Sequence, residues 1–142
     1  MDVRPSANTA ASALRLFLVE DSAAIRERLI ALIGGCDGVS FVGAADSVAA
    51  SIDAILRLAP DALVLDLQII GGSGLEVLRA VRPALPDLHI VVLTNFATDQ
   101  HRRACLAGGA EAFFDKSTEF AKLPGLINGW AAAHAGHALA NA

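Results

Sequence analysis

The sequence predicts an α/β fold, a doubly wound (βα)5 arrangement of five parallel strands with helices on both faces. Three observations carry that reading. Strand-like and helix-like patterns alternate five times along the 142 residues. The length suits one domain with a single core. Four of the apolar runs also end in polar chemistry: Glu20 and Asp21 follow Leu16–Val19, Asp66 follows Ala62–Leu65, Thr94 follows Ile90–Leu93, and Lys116 follows Ala112–Phe114. Open parallel sheets place their ligand sites at that C-terminal edge.

The first strand is expected over Arg15–Val19. Helix one starts near Ser22, with Ile25, Leu29, Leu32 and Ile33 at helical spacing on one face and Gly34-Gly35 as its stop. Strand two is expected over Val39–Ala44. Helix two carries Val48, Ile52, Ile55, Leu56 and Ala59 before Pro60 ends it. Strand three spans Ala62–Asp66, Gly71-Gly72 turn the chain, and Ser73 with Glu76 three residues on forms a capping box for helix three. Pro83 stops that helix near Arg82. Strand four is Leu88–Leu93. Helix four, about Asp99 to Ala107, has the weakest apolar stripe, because Gln100, His101, Arg102 and Arg103 leave little core-facing surface. Strand five is Glu111–Phe114. Helix five follows Ser117-Thr118 with Phe120, Leu123, Ile127, Trp130 and Ala131 on one face, and Pro124-Gly125 predict a bend or an interrupted first turn. Residues 1–13 read as a flexible leader, 14–133 as the folded domain and 134–142 as a frayed tail. Right-handed crossovers leave few topologies, and the commonest five-strand order is 2-1-3-4-5, the flavodoxin-like one.

Composition removes several functional classes. A content of 54% hydrophobic and 18% charged residues excludes a disordered chain. Asp66 interrupts the longest apolar stretch, so nothing approaches the roughly 18 residues of a membrane span. The N-terminus lacks the apolar segment of a secretory signal. A net charge of −4 without a basic cluster argues against direct nucleic-acid binding. Cys36 and Cys105 have no metal or CxxC spacing and read as reduced thiols of a cytoplasmic protein. His89, His101, His134 and His137 show no metal spacing and read as surface or rim residues. His134 and His137, three apart, offer adventitious metal binding at most. Gly71-Gly72-Ser73-Gly74 lacks both the P-loop ending and the G-x-G-x-x-G spacing, so nucleotide binding is rejected there.

In the 2-1-3-4-5 order, Asp21, Asp66, Thr94 and Lys116 converge on one edge. Glu20, Asp21 and Asp66 together place three carboxylates within a few ångströms, a repulsion that a cation relieves. Hard oxygen ligands with few protein contacts suit Mg²⁺. A carboxylate, a divalent metal, a lysine and a hydroxyl suit phosphoryl transfer to the carboxylate, with Asp66 attacking in line.

On these residues the chain resembles the receiver domains of two-component response regulators, of the stand-alone type, from about Arg15 to Trp130. Glu20-Asp21 resembles the family's acidic pair after strand one. Asp66 stands where the family has its phosphoacceptor, with Gly74 eight residues later. Thr94 matches the hydroxyl after strand four, Phe113 the switch aromatic and Lys116 the lysine after strand five. The separations are similar too: 45 residues from Asp21 to Asp66, 28 on to Thr94 and 22 on to Lys116. The resemblance implies a metal site of Glu20, Asp21, Asp66 and the backbone carbonyl of Gln68, and a Thr94–Phe113 switch. It implies a histidine kinase or phosphotransfer protein as phosphodonor, output to a downstream protein, and a homodimer formed on phosphorylation. No membrane insertion is expected.

The chain departs from the family at three points. Ile70 and Ser117 replace prolines, so no cis peptide is expected after Lys116, and Asn95, larger than usual, would narrow access to the site. Because the chain ends soon after helix five, output is expected through protein contacts, as in stand-alone receivers; a receiver excised from a longer regulator stays open as the other reading. Phe113 could also be plain core, and Asp66 alone a turn carboxylate. Two further readings stay open: a small Mg²⁺-dependent phosphohydrolase working through an aspartyl-phosphate, and a degenerate receiver that binds without being phosphorylated. Gln68, two after Asp66, stands where such hydrolases have a second acid.

Overall fold

The structure, a computed structural model, describes residues 13–140. The expected leader therefore lies, except for Ala13, outside the described residues. In chain order the elements are β1 (Leu14–Val19), α1 (Ala23–Gly34), β2 (Val39–Ala45), α2 (Val48–Leu58), β3 (Ala62–Leu65), α3 (Gly74–Val81), β4 (His89–Thr94), α4 (Asp99–Ala107), β5 (Ala112–Asp115) and α5 (Leu123–Ala140). All five strands are parallel, in the predicted order β2-β1-β3-β4-β5.

Each strand feeds two cores, because alternate side chains point to opposite faces. Phe17, Val19, Leu63, Leu65, Ile90, Val92 and Phe113 meet Ile55 of α2, Val77, Leu78 and Val81 of α3, and Cys105 of α4. On the other face Leu14, Leu16, Leu18, Ala62, Val64, Val91 and Leu93 meet Leu29 and Ile33 of α1 and Leu123, Ile127 and Trp130 of α5. Each such aliphatic side chain, fully buried, contributes about 1.5–3 kcal/mol of transfer free energy. Between β1 and β2 the register slips after Leu16, which faces Phe41 while Phe17 faces Gly43. A Cβ at Gly43 would lie 2.9 Å from the Phe17 ring, so the bulge needs glycine there.

Serines and a threonine start the helices as propensity dictates: Ser22, Ser47, Ser73 and Thr98 accept backbone N–H groups at the starts of α1 to α4. The capping box between Ser73 and Glu76 is present in both halves. Pro124 falls in the first turn of α5, where no intrahelical bond is lost, and a 3-10 turn over Phe120–Lys122 precedes it.

Some expectations change. Leu32 and Leu56 are 36% and 43% exposed, because 3.6 residues per turn carries them off the buried face that Leu29, Ile33 and Ile55 occupy. A two-residue antiparallel ladder, Gln68–Ile69 against Gly72–Ser73, fills the turn after Asp66. The tail expected to fray from His134 continues α5 to Ala140 instead. Alanine is the best helix former, which favours that continuation.

Candidate functional site

Strand ends build the site. The Glu20 amide donates to Ala45 O at 3.0 Å and the Asp66 amide to Val19 O at 3.1 Å, so both residues continue the sheet's ladder one step past the strands. The Lys116 amide donates to Thr94 O at 3.0 Å and ties β5's exit to β4's. Glu20 is 2% exposed, Asp66 4% and Thr94 fully buried, whereas Asp21 is exposed.

Lys116 joins the carboxylates. Its Nζ donates to Glu20 Oε1 at 2.6 Å and to Asp66 Oδ2 at 2.8 Å. The remaining oxygens are also held: Glu20 Oε2 accepts the Ser22 amide at 3.1 Å, and Asp66 Oδ1 accepts the Gln68 amide at 3.2 Å. Oxygens of Glu20, Asp21 and Asp66 lie within 4.8 Å of one another, the one such group of three acidic or metal-ligating side chains among the described residues. At that separation two carboxylates repel by about 3 kcal/mol at an effective dielectric near 20. Three carboxylates against one ammonium still leave the cluster a formal excess of negative charge.

Burial works against a charge on Lys116, but its hydrogen bonds to Asp66 and Glu20 and their charges outweigh it and raise the ammonium's pKa. The Glu20 carboxyl is raised as well, because its burial exceeds what Lys116 and the Ser22 amide return. The two shifts pull in opposite senses for one pair. An ammonium shared between two acids explains both: the lysine stays charged, and buried Glu20 is the acid that takes up a proton more easily than usual.

Backbone packing fixes Asp66. The Gly74 amide donates to Leu67 O at 2.9 Å, which draws the start of α3 against the Asp66 peptide. A Cβ at residue 74 would collide with the Asp66 carbonyl, so glycine is required for this approach.

Thr94 and Phe113 sit on neighbouring strands and face the same side of the sheet, since Val92 is in register with Phe113 and Thr94 with Asp115. Thr94 Oγ1 accepts the Phe96 amide at 3.1 Å. Phe113 is buried, with the Arg102 guanidinium 4.9 Å over its ring and Arg102 Nη1 donating to its carbonyl at 3.1 Å. Arg102 also lies 3.7 Å from Glu119.

A cleft beside the carboxylates is lined by Asp21, Leu67, Gln68, Ile69, Gly72, Ser73, Phe96 and His101. Asn95 is not among them. The ring at the mouth is Phe96, stacked on His101 at 5.6 Å. Sequence reasoning missed both rings and the pair of hydrogen bonds that Lys116 donates. No motif signals them, since their partners are set by how α4 and β5 dock.

Comparison with known proteins fits this geometry. The family model described as the response regulator receiver domain matches residues 16–128. The chain is similar to the DNA-binding transcriptional activator DevR/DosR of Mycobacterium tuberculosis, 31% identical over 103 residues, 72% of this chain and 48% of that protein. Against the protein-glutamate methylesterase/protein-glutamine glutaminase 2 of Burkholderia thailandensis it is 36% identical over 100 residues, 69% of this chain and 28% of that protein. The chain thus spans about half, or less, of the length of these curated relatives. Among solved structures, a two-component response regulator of the LuxR family from Aurantimonas sp. SI85-9A1 has a TM-score of 0.78 at 26% identity, covering 85% of this chain and 86% of that one.

Proposed function

The chain belongs to the response regulator receiver family, and from that premise we propose that it accepts a phosphoryl group on Asp66 from a histidine kinase or phosphotransfer protein. Residues 14–133 form the receiver unit in this reading, working in the cytoplasm. The observation that supports it best is Lys116 Nζ, placed between Glu20 and Asp66 by the ends of β1, β3 and β5.

An Asp66 carboxylate oxygen attacks the phosphorus in line, the bond from phosphorus to the donor's imidazole nitrogen breaks, and that nitrogen leaves with the electron pair. Lys116 turns from Glu20 toward a phosphoryl oxygen, and the Thr94 hydroxyl donates to another. The oxygen-only donor set of Glu20, Asp21, Asp66 and the Gln68 carbonyl fits Mg²⁺, which when bound supplies neutralisation of phosphoryl charge. Water later hydrolyses the acyl phosphate. Thr94 moving inward vacates volume beside Phe113, and the face of α4, β5 and α5 carries the signal to a downstream protein or a second copy. The relatives' DNA binding and methylesterase activities belong to proteins that this chain matches only in part.

The test is incubation with Mg²⁺ and acetyl phosphate, followed by intact mass. One adduct is expected in the wild type and none in Asp66→Asn, which keeps its fold. Labelling that survives the substitution would overturn the assignment. Steady phosphate release from phosphomonoesters would instead favour a hydrolase, and a wild type that takes no adduct would favour the pure binding module.

A further inference from the structure

We infer that Phe96, steadied by His101, selects the leaving group of the phosphodonor. Its ring offers a stacking face to a flat heteroaromatic group such as the imidazole of a phosphohistidine. The inference rests on the reading of Asp66 as acceptor and names the donor chemistry that the mouth of that site favours.

In-line transfer dictates what stands at the mouth. The attacking oxygen and the departing atom lie on opposite sides of the phosphorus. Asp66 is only 4% exposed, so a donor arrives from the solvent side with its leaving group pointing outward. The phosphoryl oxygens are engaged deeper, by Lys116 and Thr94, and the leaving group alone meets the rim. That rim is polar at Asp21, Gln68 and Ser73 and aromatic at Phe96 and His101.

The aromatic side is built before any donor arrives. The Phe96 amide donates to Thr94 Oγ1 at 3.1 Å, which holds the ring's backbone two residues from the hydroxyl of the site. The phenyl ring stacks on His101, with centroids 5.6 Å apart and planes 11° from parallel. His101 is held in turn by the first turn of α4. Its amide donates to Thr98 Oγ1 at 3.1 Å, and its Nδ1 lies 2.7 Å from the same oxygen. Phe96 nevertheless stays 44% exposed, so the stack leaves ring surface open at the cleft. A flat aromatic leaving group gains a stacked contact there at little ordering cost, whereas acetate has no ring to offer. His101 acts through Phe96 and is a positioning residue.

The test compares two small donors, N-phosphoimidazole and acetyl phosphate, on the whole chain with Mg²⁺ at pH 7, followed by intact mass. The quantity read is the ratio of their second-order labelling constants. Phe96→Ala is expected to lower that ratio roughly 2–10-fold, the worth of one aromatic pair. Phe96→Leu, apolar but not flat, should fall with it, and Phe96→Tyr should keep the wild-type ratio. His101→Ala should shift the ratio in the same direction by less, and His101→Phe should restore it. Tm should barely move in the Phe96 variants, because so much of the residue is already in water. A ratio unchanged in Phe96→Ala, or one as low in Phe96→Tyr as in Phe96→Ala, would overturn this inference alone. A wild type that takes no adduct from either donor would overturn the reading of Asp66 together with it.

Discussion

Helices α3 and α4 follow the strands that deliver Asp66 and Thr94, and both cover the same face of the sheet, but they are attached differently. Helix α3 buries Val77, Leu78 and Val81, starts in a complete capping box, and sets Gly74 directly on the Asp66 peptide. Helix α4 buries only Cys105 among its residues and is tied by Arg102 to β5, through the Phe113 carbonyl and ring, and to Glu119 beyond it. Apolar burial resists displacement, whereas a polar tie re-forms at small cost in water. One half of the site is therefore fixed and the other can yield.

The largest expected effect tests the fixed half. Leu78→Ala should cost about 2–5 kcal/mol in urea unfolding. Cys105→Ala, removing one sulfur's worth of burial, should cost about 1 kcal/mol. Equal costs would erase the contrast between the helices. Next comes Gly74→Ala, expected to lose about 1–3 kcal/mol by overpacking and to slow labelling of Asp66 by acetyl phosphate more than its stability loss explains. Normal labelling would mean that α3 does not position the acceptor.

The yielding half is tested by Arg102→Ala. Its tie is worth about 0.5–1 kcal/mol, so Tm should barely move while amide exchange in α4 quickens. In the wild type, beryllofluoride with Mg²⁺ should change exchange in α4 and β5 and leave α3 as it was. Changes confined to the loops at Asp21 and Asp66 would refute a signal route through α4.

The smallest effect is electrostatic. Because the Glu20 pKa is raised in the fold, its protonated form favours the fold: that stability is full below the unfolded value of 4.5 and is lost as pH rises through the folded one. Wild type should therefore lose stability relative to Glu20→Gln across that acidic window, and less so with Mg²⁺ present. A flat difference between the two pH profiles would remove Glu20 from the strained charge cluster.

Much of this was legible beforehand. Apolar runs such as Leu63–Leu65 and Ile90–Leu93 announce buried parallel strands, and Ser73 with Glu76 marks the start of α3, because these signals are local. Glu20, Asp66, Thr94 and Lys116 converge as soon as the strand order is assumed. Side-chain partners were not legible. Nothing in the sequence says that Lys116 bonds Glu20 as well as Asp66, or that Arg102 lies over Phe113, since both depend on how separate elements dock. Leu32 and Leu56 were misplaced because several apolar residues fit a helical stripe wider than the face the sheet covers.

The lysine that bridges Glu20 and Asp66 has a consequence for biosynthesis. Its two partners stand 96 and 50 residues earlier in the chain. A ribosome has made both acids, and four of the five strands, long before it makes the cation. Closing contacts across such sequence distances is slow and comes late in folding. An incomplete or half-folded chain thus carries Asp66 without the ammonium that bonds it in the folded protein. On the proposed function, receipt of a signal is thereby tied to completion of the whole sheet.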